Sequence, residues 1–354
     1  MTWEDNILGF VPKKDWLSIP FNPTRPNDPA DQLIGDLKTP NLVAEWQSIS
    51  SQYQLPAMAM FHSFDVEAQK AVRVPIDTHN IEKGLIKEKI NQSERLRTLI
   101  RSGVQGDDQL YDYVMRDGFN LAEHVLTRTK VAKNELLATG KITIKENDLD
   151  LEVDYGVPQA QTALSIDLSD NADIAAQIQG FIDAANAAGV TLTGMYTSTA
   201  ILTKMRKNAA LQKIINGNIG AGALIRRGAL TEFLGEEFGL TNIITNDLTY
   251  VYDRKLTANG AITQSTKRYF PVNKVTFFAQ VAGGKIGTGL WGDSPELDVS
   301  TLMKVDGSAV SPYIAISQWT ENDPAVLWTK ASALFMPVLF NPGSLWIATE
   351  DDGA

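Results

Sequence analysis

Between Asp107 and Gly140 the sequence carries a helical pattern of about 32 residues, close to 48 Å of rod at 1.5 Å per residue, which opens directly into a β-hairpin. A rod that long in a chain of 354 residues points to a spine on which other elements are laid. Asp107 or Asp108 is placed to cap the free N–H groups at its start, and Gly140 suits the left-handed position after its end. Leu110, Val114, Leu121, Val125 and Leu136 recur at helical spacings and define one apolar stripe. Arg116, Asp117, Arg128, Lys130 and Lys133 are expected on the other faces. Gly118 marks a bend or a close approach, at about 1 kcal/mol against alanine.

After the helix, Lys141 to Lys145 and Leu149 to Tyr155 alternate polar and apolar residues around Glu146-Asn147-Asp148, the pattern of two paired strands. With Asn147 and Asp148 as a two-residue loop, Ile144 faces Leu151, Ile142 faces Val153, Lys145 opposes Asp150 and Lys141 opposes Asp154. Asp148, Asp150, Glu152 and Asp154 are therefore read as a solvated, lysine-paired face. A hard cation held on the same strand is the alternative, although no loop closes around these carboxylates.

The formal net charge of −10, with a pI near 4.9, argues against a reader of nucleic acid, which needs a basic surface to contact phosphates. It leaves room for a protein that encloses nucleic acid without gripping it. With no cysteine, the chain has no disulfide, thiolate nucleophile or cysteine metal site, which fits a reducing cytoplasm. No apolar run reaches membrane-spanning length, and the charged first residues do not form a secretory signal.

Along the chain, residues 1–55 read as an N-terminal arm, with Pro20, Pro23, Pro26 and Pro29 at every third position and Trp3, Phe10, Trp16 and Phe21 between or before them. Two readings stand, an arm docked on neighbouring subunits and an arm wrapping its own domain; Leu33 to Ser51 is read as adding a short helix. Residues 56–106 read as an extended, two-stranded projection with its lead-in, around Val72 to Ile76 and the charged stretch Glu82 to Lys89. From 107 to 170 run the long helix and the hairpin. Residues 171–299 resemble a compact α/β module: a helix from Asn171 to Ala188 with Asp170 as its cap, a strand from Val190 to Met195, a helix from Ser198 to Asn216 and strands at 242–246, 249–253 and 275–281. Residues 300–354 return as apolar strands with Trp319, Trp328 and Trp346.

Few residues suggest chemistry. Gly287-Thr288-Gly289-Leu290-Trp291-Gly292 fits the dinucleotide spacing, but Asp293-Ser294-Pro295 reads as a turn where a phosphate site needs a helix N-terminus. Gly283-Gly284-Lys285-Ile286 lacks the Ser or Thr of a nucleotide loop. The histidines, His62, His79 and His124, do not sit at metal spacing, and His124 on the spine is read as a hydrogen-bonded structural residue. Asp167, Asp170 and Asp173 are read as loop and capping residues. The expectation is no catalytic, cofactor-binding or metal-binding residue, and no cofactor.

The order of parts, together with Val153-Asp154-Tyr155-Gly156-Val157-Pro158, Gly292 to Glu296, Trp319 with Asp323-Pro324, Met336-Pro337-Val338 with Asn341-Pro342, and Pro342 to Thr349, resembles the lambda E-type family of tailed-bacteriophage major capsid proteins from about residue 55 onward. The resemblance implies an α+β fold of the Hong Kong 97 type. Its N-terminal arm, extended loop, peripheral domain with spine helix, and axial domain would fall at the boundaries above, with 300–354 returning to the peripheral domain. It further implies a shell subunit, not an enzyme, assembling as hexamers and pentamers into an icosahedral head around double-stranded DNA. Loop and arm would cross onto adjacent subunits. Expected partners are the chain itself, a separate scaffolding protein (the chain begins without a long charged helical pre-segment), a portal protein and, as an open question, a decoration protein. The location implied is the virion, after assembly in the host cytoplasm. The alternatives are the shell of a cellular nanocompartment and, on the acidic clusters and glycine run, a soluble α/β enzyme.

Overall fold

The computed structural model describes residues 27–49, 76–92, 107–146, 149–217, 222–256, 262–280, 284–298, 303–306, 313–323 and 325–351, with Leu55, 57–62, Phe64, Glu67, 70–73 and Glu94 between them. The arm residues Trp3, Phe10, Trp16 and Phe21, the prolines up to Pro26, and the hairpin loop Asn147-Asp148 lie outside the described residues. In chain order the main elements are β1 (Ile34–Lys38), β2 (Val43–Ile49), β3 (Ile76–Glu82), β4 (Gly84–Gln92), α1 (Asp107–Thr139), β5 (Lys141–Glu146), β6 (Leu149–Asp154), β7 (Leu164–Ile166), α2 (Ile174–Ala187) and β8 (Gly194–Thr197). There follow α3 (Thr199–Lys207), α4 (Ala209–Asn216), α5 (Arg227–Phe238), β9 (Asn242–Thr245), β10 (Thr249–Leu256), β11 (Ile262–Arg268), β12 (Lys274–Phe278) and β13 (Gly287–Gly292). The chain closes with β14 (Met303–Asp306), β15 (Ala315–Asn322), β16 (Ala325–Leu339) and β17 (Leu345–Glu350).

Two sheets organise these elements. The larger runs β1-β13-β16-β15-β14, and β4 also pairs with β16. The 15-residue β16 pairs with β4 along Leu327 to Phe335, and with β15 along Ala325 to Ser332 followed by β13 along Leu334 to Leu339; Leu334 and Phe335 have partners in both β4 and β13, so these two strands flank β16 on opposite edges. The second sheet runs β7-β17-β12-β8-β9 and carries the helices α2 to α5. Two-stranded ribbons β2–β3, β5–β6 and β10–β11 complete the fold.

The uninterrupted 33-residue α1, about 50 Å long, lies on the larger sheet. Leu121, Ala122, Val125, Ala132, Leu136 and Leu137 share one core with Ala331, Ala333 and Phe335 of β16. Alternation along a strand puts residues 331, 333 and 335 on the helix side and residues 328, 330, 332 and 334 on the opposite face. Ile166, Ile178, Met195, Leu230, Phe277 and Trp346 belong to a second core, between the five-stranded sheet and its helices.

The structure departs from the sequence reading where tertiary pairing overrides local pattern. Where a helix is expected from Leu33 to Ser51, the described residues up to Ile49 form β1 and β2, because Ile34 to Lys38 finds a parallel partner in β13 and Val43 to Ile49 an antiparallel one in β3. The projection is not a hairpin of its own: β3 pairs with β2 and β4 with β16, and the single residue Lys83 between β3 and β4 cannot reverse a strand. The strand expected at Val190 to Met195 begins at Gly194. The helix expected from Ser198 to Asn216 breaks at Asn208, whose extended backbone ends α3 while its side chain caps α4 through Leu211 N at 2.9 Å. Asp173 rather than Asp170 caps α2, accepting from Ala176 N at 3.0 Å.

Candidate assembly surfaces

The helix-to-hairpin junction follows from local chemistry. Gly140 has φ +69° and donates its N–H to the Leu136 carbonyl at 2.8 Å, closing the helix. The β5–β6 register sets Ile142 against Val153, Ile144 against Leu151, Lys141 against Asp154 and Lys145 against Asp150, as the alternation predicts. Lys141 Nζ lies 2.8 Å from Asp154 and 3.3 Å from Glu152, so these carboxylates have a cation from the chain itself. Among the described residues no group of His, Asp or Glu is arranged to hold a metal.

A second polar assembly ties three separate parts of the molecule together. Asp28, just before β1, accepts from Ala30 N at 2.9 Å, from Asn134 Nδ2 of α1 at 2.8 Å and from Asn246 Nδ2, after β9, at 3.0 Å. The Tyr196 hydroxyl on β8 donates to Asn134 Oδ1 and accepts from Asn246 Nδ2, both at 2.8 Å. Alongside, Lys133 Nζ bridges Asp31 at 2.7 Å and Asp36 at 2.9 Å, and Trp291 Nε1 donates to the same Asp36 oxygen at 2.8 Å. Burial drives the Asp28 carboxyl up from 3.8 to about 6, against the hydrogen bonds that favour its ionised form. Burial likewise raises the Tyr196 hydroxyl, with the nearby Asp28 carboxylate adding to the effect.

Sequence reasoning missed this assembly. It placed Lys133 and Asp117 on faces of α1 other than the apolar stripe and gave them no partners, whereas both are buried. The available signal was the neighbour Asn134 beside Leu136 and Leu137, since a polar pair interrupting an apolar stripe needs buried partners.

A third cluster fixes the far side of the larger sheet. Glu296 accepts from Lys330 Nζ and Ser332 Oγ, each at 2.8 Å, and from Ser294 Oγ. Burial alone would raise this carboxyl, but the three donors outweigh it and bring it down to about 2.

The residues flagged for chemistry have structural places. His124 Nδ1 is 2.8 Å from Glu88 Oε2 and joins α1 to β4, holding the Glu88 carboxyl below its usual range. His79 stacks on Trp46 with ring centroids 5.0 Å apart, and His62 is exposed. The glycine run is the strand β13, not a loop: a Cβ at Gly287 would lie 2.3 Å from the Val338 carbonyl oxygen and one at Gly289 2.6 Å from the Phe335 ring. These glycines admit close strand packing rather than a phosphate. Asp167 accepts from Ser169 N at 2.8 Å, and Asp170 offers its carbonyl to Ala209 N at the start of α4. Lys83, between β3 and β4, is buried and donates to the Thr39 and Asn41 carbonyls and the Thr39 hydroxyl; burial lowers its ammonium, opposed by Asp293.

The exposed surfaces are of another kind. Met58, Phe61, Phe64 and Val72 each remain at least 87% exposed. Tyr252 and Ile262 stand out from the β10–β11 ribbon, with Lys267 over the Tyr252 ring at 3.5 Å. Large apolar groups left in water on a folded chain mark surfaces that another molecule covers.

A family model described as phage major capsid protein E matches residues 49–350. Among solved structures, a proposed capsid protein of a prophage from E. coli CFT073 is 12% identical with a TM-score of 0.52, over 95% of this chain and 97% of that one. A phage-related protein from Bordetella bronchiseptica RB50 is 9% identical with a TM-score of 0.50, over 90% of each chain. No curated protein sequence matches the chain.

Proposed function

This chain belongs to the phage major capsid protein E family and is a structural subunit of the icosahedral shell of a virion; on that premise we propose how its parts divide the work of assembly. The match over residues 49–350, which takes in α1, the five-stranded sheet and every strand of the larger sheet but β1, carries this reading. The six-stranded sheet with α1 and the β5–β6 hairpin is the peripheral part of each tile, and the five-stranded sheet with α2 to α5 is the axial part at the centres of hexamers and pentamers. The ribbon β2–β3 is the stem of an extended loop, and residues before it form the arm. Loop and arm reach adjacent subunits.

The function is geometric, needs no cofactor and involves no catalysis. The structural roles of His124, of the β13 glycines and of the hairpin carboxylates support this. Further partners are a scaffolding protein during assembly in the host cytoplasm, a portal protein at one vertex, and double-stranded DNA enclosed without specific contacts. A strongly acidic chain suits DNA that is confined rather than bound. Among the described residues no helix is long and apolar enough to cross a membrane.

Electron microscopy of the chain expressed alone and with its neighbouring viral genes tests the reading. Closed shells of hexamers and pentamers are the expected result, and persistent monomers under both conditions would count decisively against it. Nuclease-resistant DNA in the particles separates a phage head from a compartment that encloses an enzyme.

A further inference from the structure

Asp28 is a carboxyl group buried without a cation. It is 1% exposed, and its oxygens accept from Ala30 N in its own segment, from Asn134 Nδ2 of α1 and from Asn246 Nδ2 after β9. Among the described residues no ammonium or guanidinium forms an ion pair with it; Lys133 of α1 is taken by Asp31 and Asp36. The other titratable groups around it come from each element that meets there. Asp31, in its own segment, pushes the carboxyl up and Lys130 of α1 pulls it down, while the Tyr196 hydroxyl of β8 is shared by Asn134 and Asn246. Asp247, next to Asn246, is turned to Thr199 and Arg268. Three neutral donors and the field of Lys130 are thus set against almost complete burial, and burial prevails.

The segment that this carboxyl fastens is built to open on its own. It runs through one turn of 3-10 helix, Pro29–Gln32, into the edge strand β1, which has β13 as its single partner. An edge strand can leave its sheet without breaking any other pairing, so its opening is a local event. Ala30, Leu33 and Ile34 are fully buried and keep the closed form dominant, whereas Leu37 and Lys38 are exposed. Asp28 lies at the root of this segment, where it meets both α1 and the strand end beyond β9.

We infer that Asp28 is a proton-operated latch: carrying a proton it fastens residues 28–38 to α1 and to the edge of the five-stranded sheet, and on ionising it lets that segment lift from β13 while both cores stay folded. The proton thereby sets how firmly the residues before Asp28 are rooted in their own subunit. The inference goes beyond the shell reading and stands without it.

A carboxyl that titrates at about 6 in the closed segment and returns to 3.8 in the open one, where water reaches it, makes opening roughly fiftyfold more frequent at pH 7.5 than at pH 4. Hydrogen exchange of the full chain, read by mass spectrometry across this range and corrected for the intrinsic pH dependence of amide exchange, measures the opening in peptides covering residues 29–38. The natural chain should show the rise while peptides around Leu230 and Leu234, fully buried in α5, stay level. Asp28→Asn should show no rise. Asp31→Asn leaves the three donors to Asp28 in place and should keep most of it. A level profile in the natural chain overturns the latch. A rise shared by the α5 peptides also overturns it, because the whole fold is then loosening. A rise that persists in Asp28→Asn, or disappears in Asp31→Asn, overturns it in favour of the carboxylates around Lys133. Should Asp28→Asn fail to fold, the natural chain and Asp31→Asn decide among the same outcomes.

Discussion

Lys133 and Lys141 each hold two carboxylates, one near the end of α1 and the other just beyond it, yet they belong to different physical regimes. Lys133 reaches Asp31 and Asp36 with its side chain 2% exposed, whereas Lys141 reaches Glu152 and Asp154 with its side chain 46% exposed. In the first case water has been removed from an ammonium ion, and only the two carboxylates, themselves partly screened, balance it. In the second, water solvates all three groups whether or not they meet. Geometry alone does not distinguish the two clusters; burial does, and it decides which of them holds the molecule together.

The largest expected effect follows directly. Lys133→Met keeps the bulk of the side chain but leaves Asp31 and Asp36 without their cation, and removal of one partner from a buried ion pair costs roughly 3–5 kcal/mol. Denaturant unfolding of the dissociated subunit measures it. A loss as small as that of an exposed pair would show that water reaches Asp31 and Asp36 freely and would break the comparison at its base.

The two clusters also differ in how far the sequence reveals them. Every partner in the hairpin lies within 13 residues of its mate, as Lys141 and Asp154 do, and the alternation of Lys141 to Tyr155 sets the register before any tertiary contact forms. The buried assembly joins Asp28 to Asn134 across 106 residues and to Asn246 across 218, and no local pattern encodes such distances. The helix boundary at Gly140 and the apolar closing strands were legible for the same reason as the hairpin. The β2–β3 pairing was not, because β2 and β3 are separated by 26 residues and β3 runs within one residue of a strand that joins a different sheet. On α1 the apolar stripe was readable from Leu121 to Leu136, but the inward turn of Lys133 depends on Asp31 and Asp36, which only the folded chain brings beneath it.

Asp28 sharpens the same comparison through pH. Its folded value of about 6 lies above 3.8, so the folded chain binds this proton more tightly than the unfolded one. The stability attached to that proton is complete below pH 3.8 and is lost as pH rises through about 6, a change of about 3 kcal/mol for a shift of roughly two units. Other carboxylates titrate in the same window, so a difference between two chains isolates the effect. The stability of the natural chain minus that of Asp28→Asn should fall between pH 4 and pH 7, and parallel profiles would mean that Asp28 is solvated.

Tyr196→Phe is expected to be smaller still, about 1–2 kcal/mol. It removes one hydroxyl from the buried assembly while Asn246 Nδ2 keeps Asn134 Oδ1 as a partner at 3.0 Å. Thermal unfolding at pH 7 reads this change, and a shift as large as that of Lys133→Met would mean that the neutral part of the assembly, not the ion pairs, fastens the segment from Asp28 to Asp36 to the helix.

The smallest effect belongs to the hairpin. Lys141→Ala removes the cation from Glu152 and Asp154, but all three side chains are about half exposed, and water takes the place of the ammonium at each oxygen. The register is held instead by Ile142 against Val153, both buried beneath the hairpin. The melting temperature of Lys141→Ala should therefore match that of the natural chain at 0.15 M salt, and Ile142→Ala should lower it clearly. A reversed order, with the lysine mattering more than the isoleucine, would mean that charge rather than apolar contact sets the strand pairing and that the contrast between Lys133 and Lys141 is not one of burial.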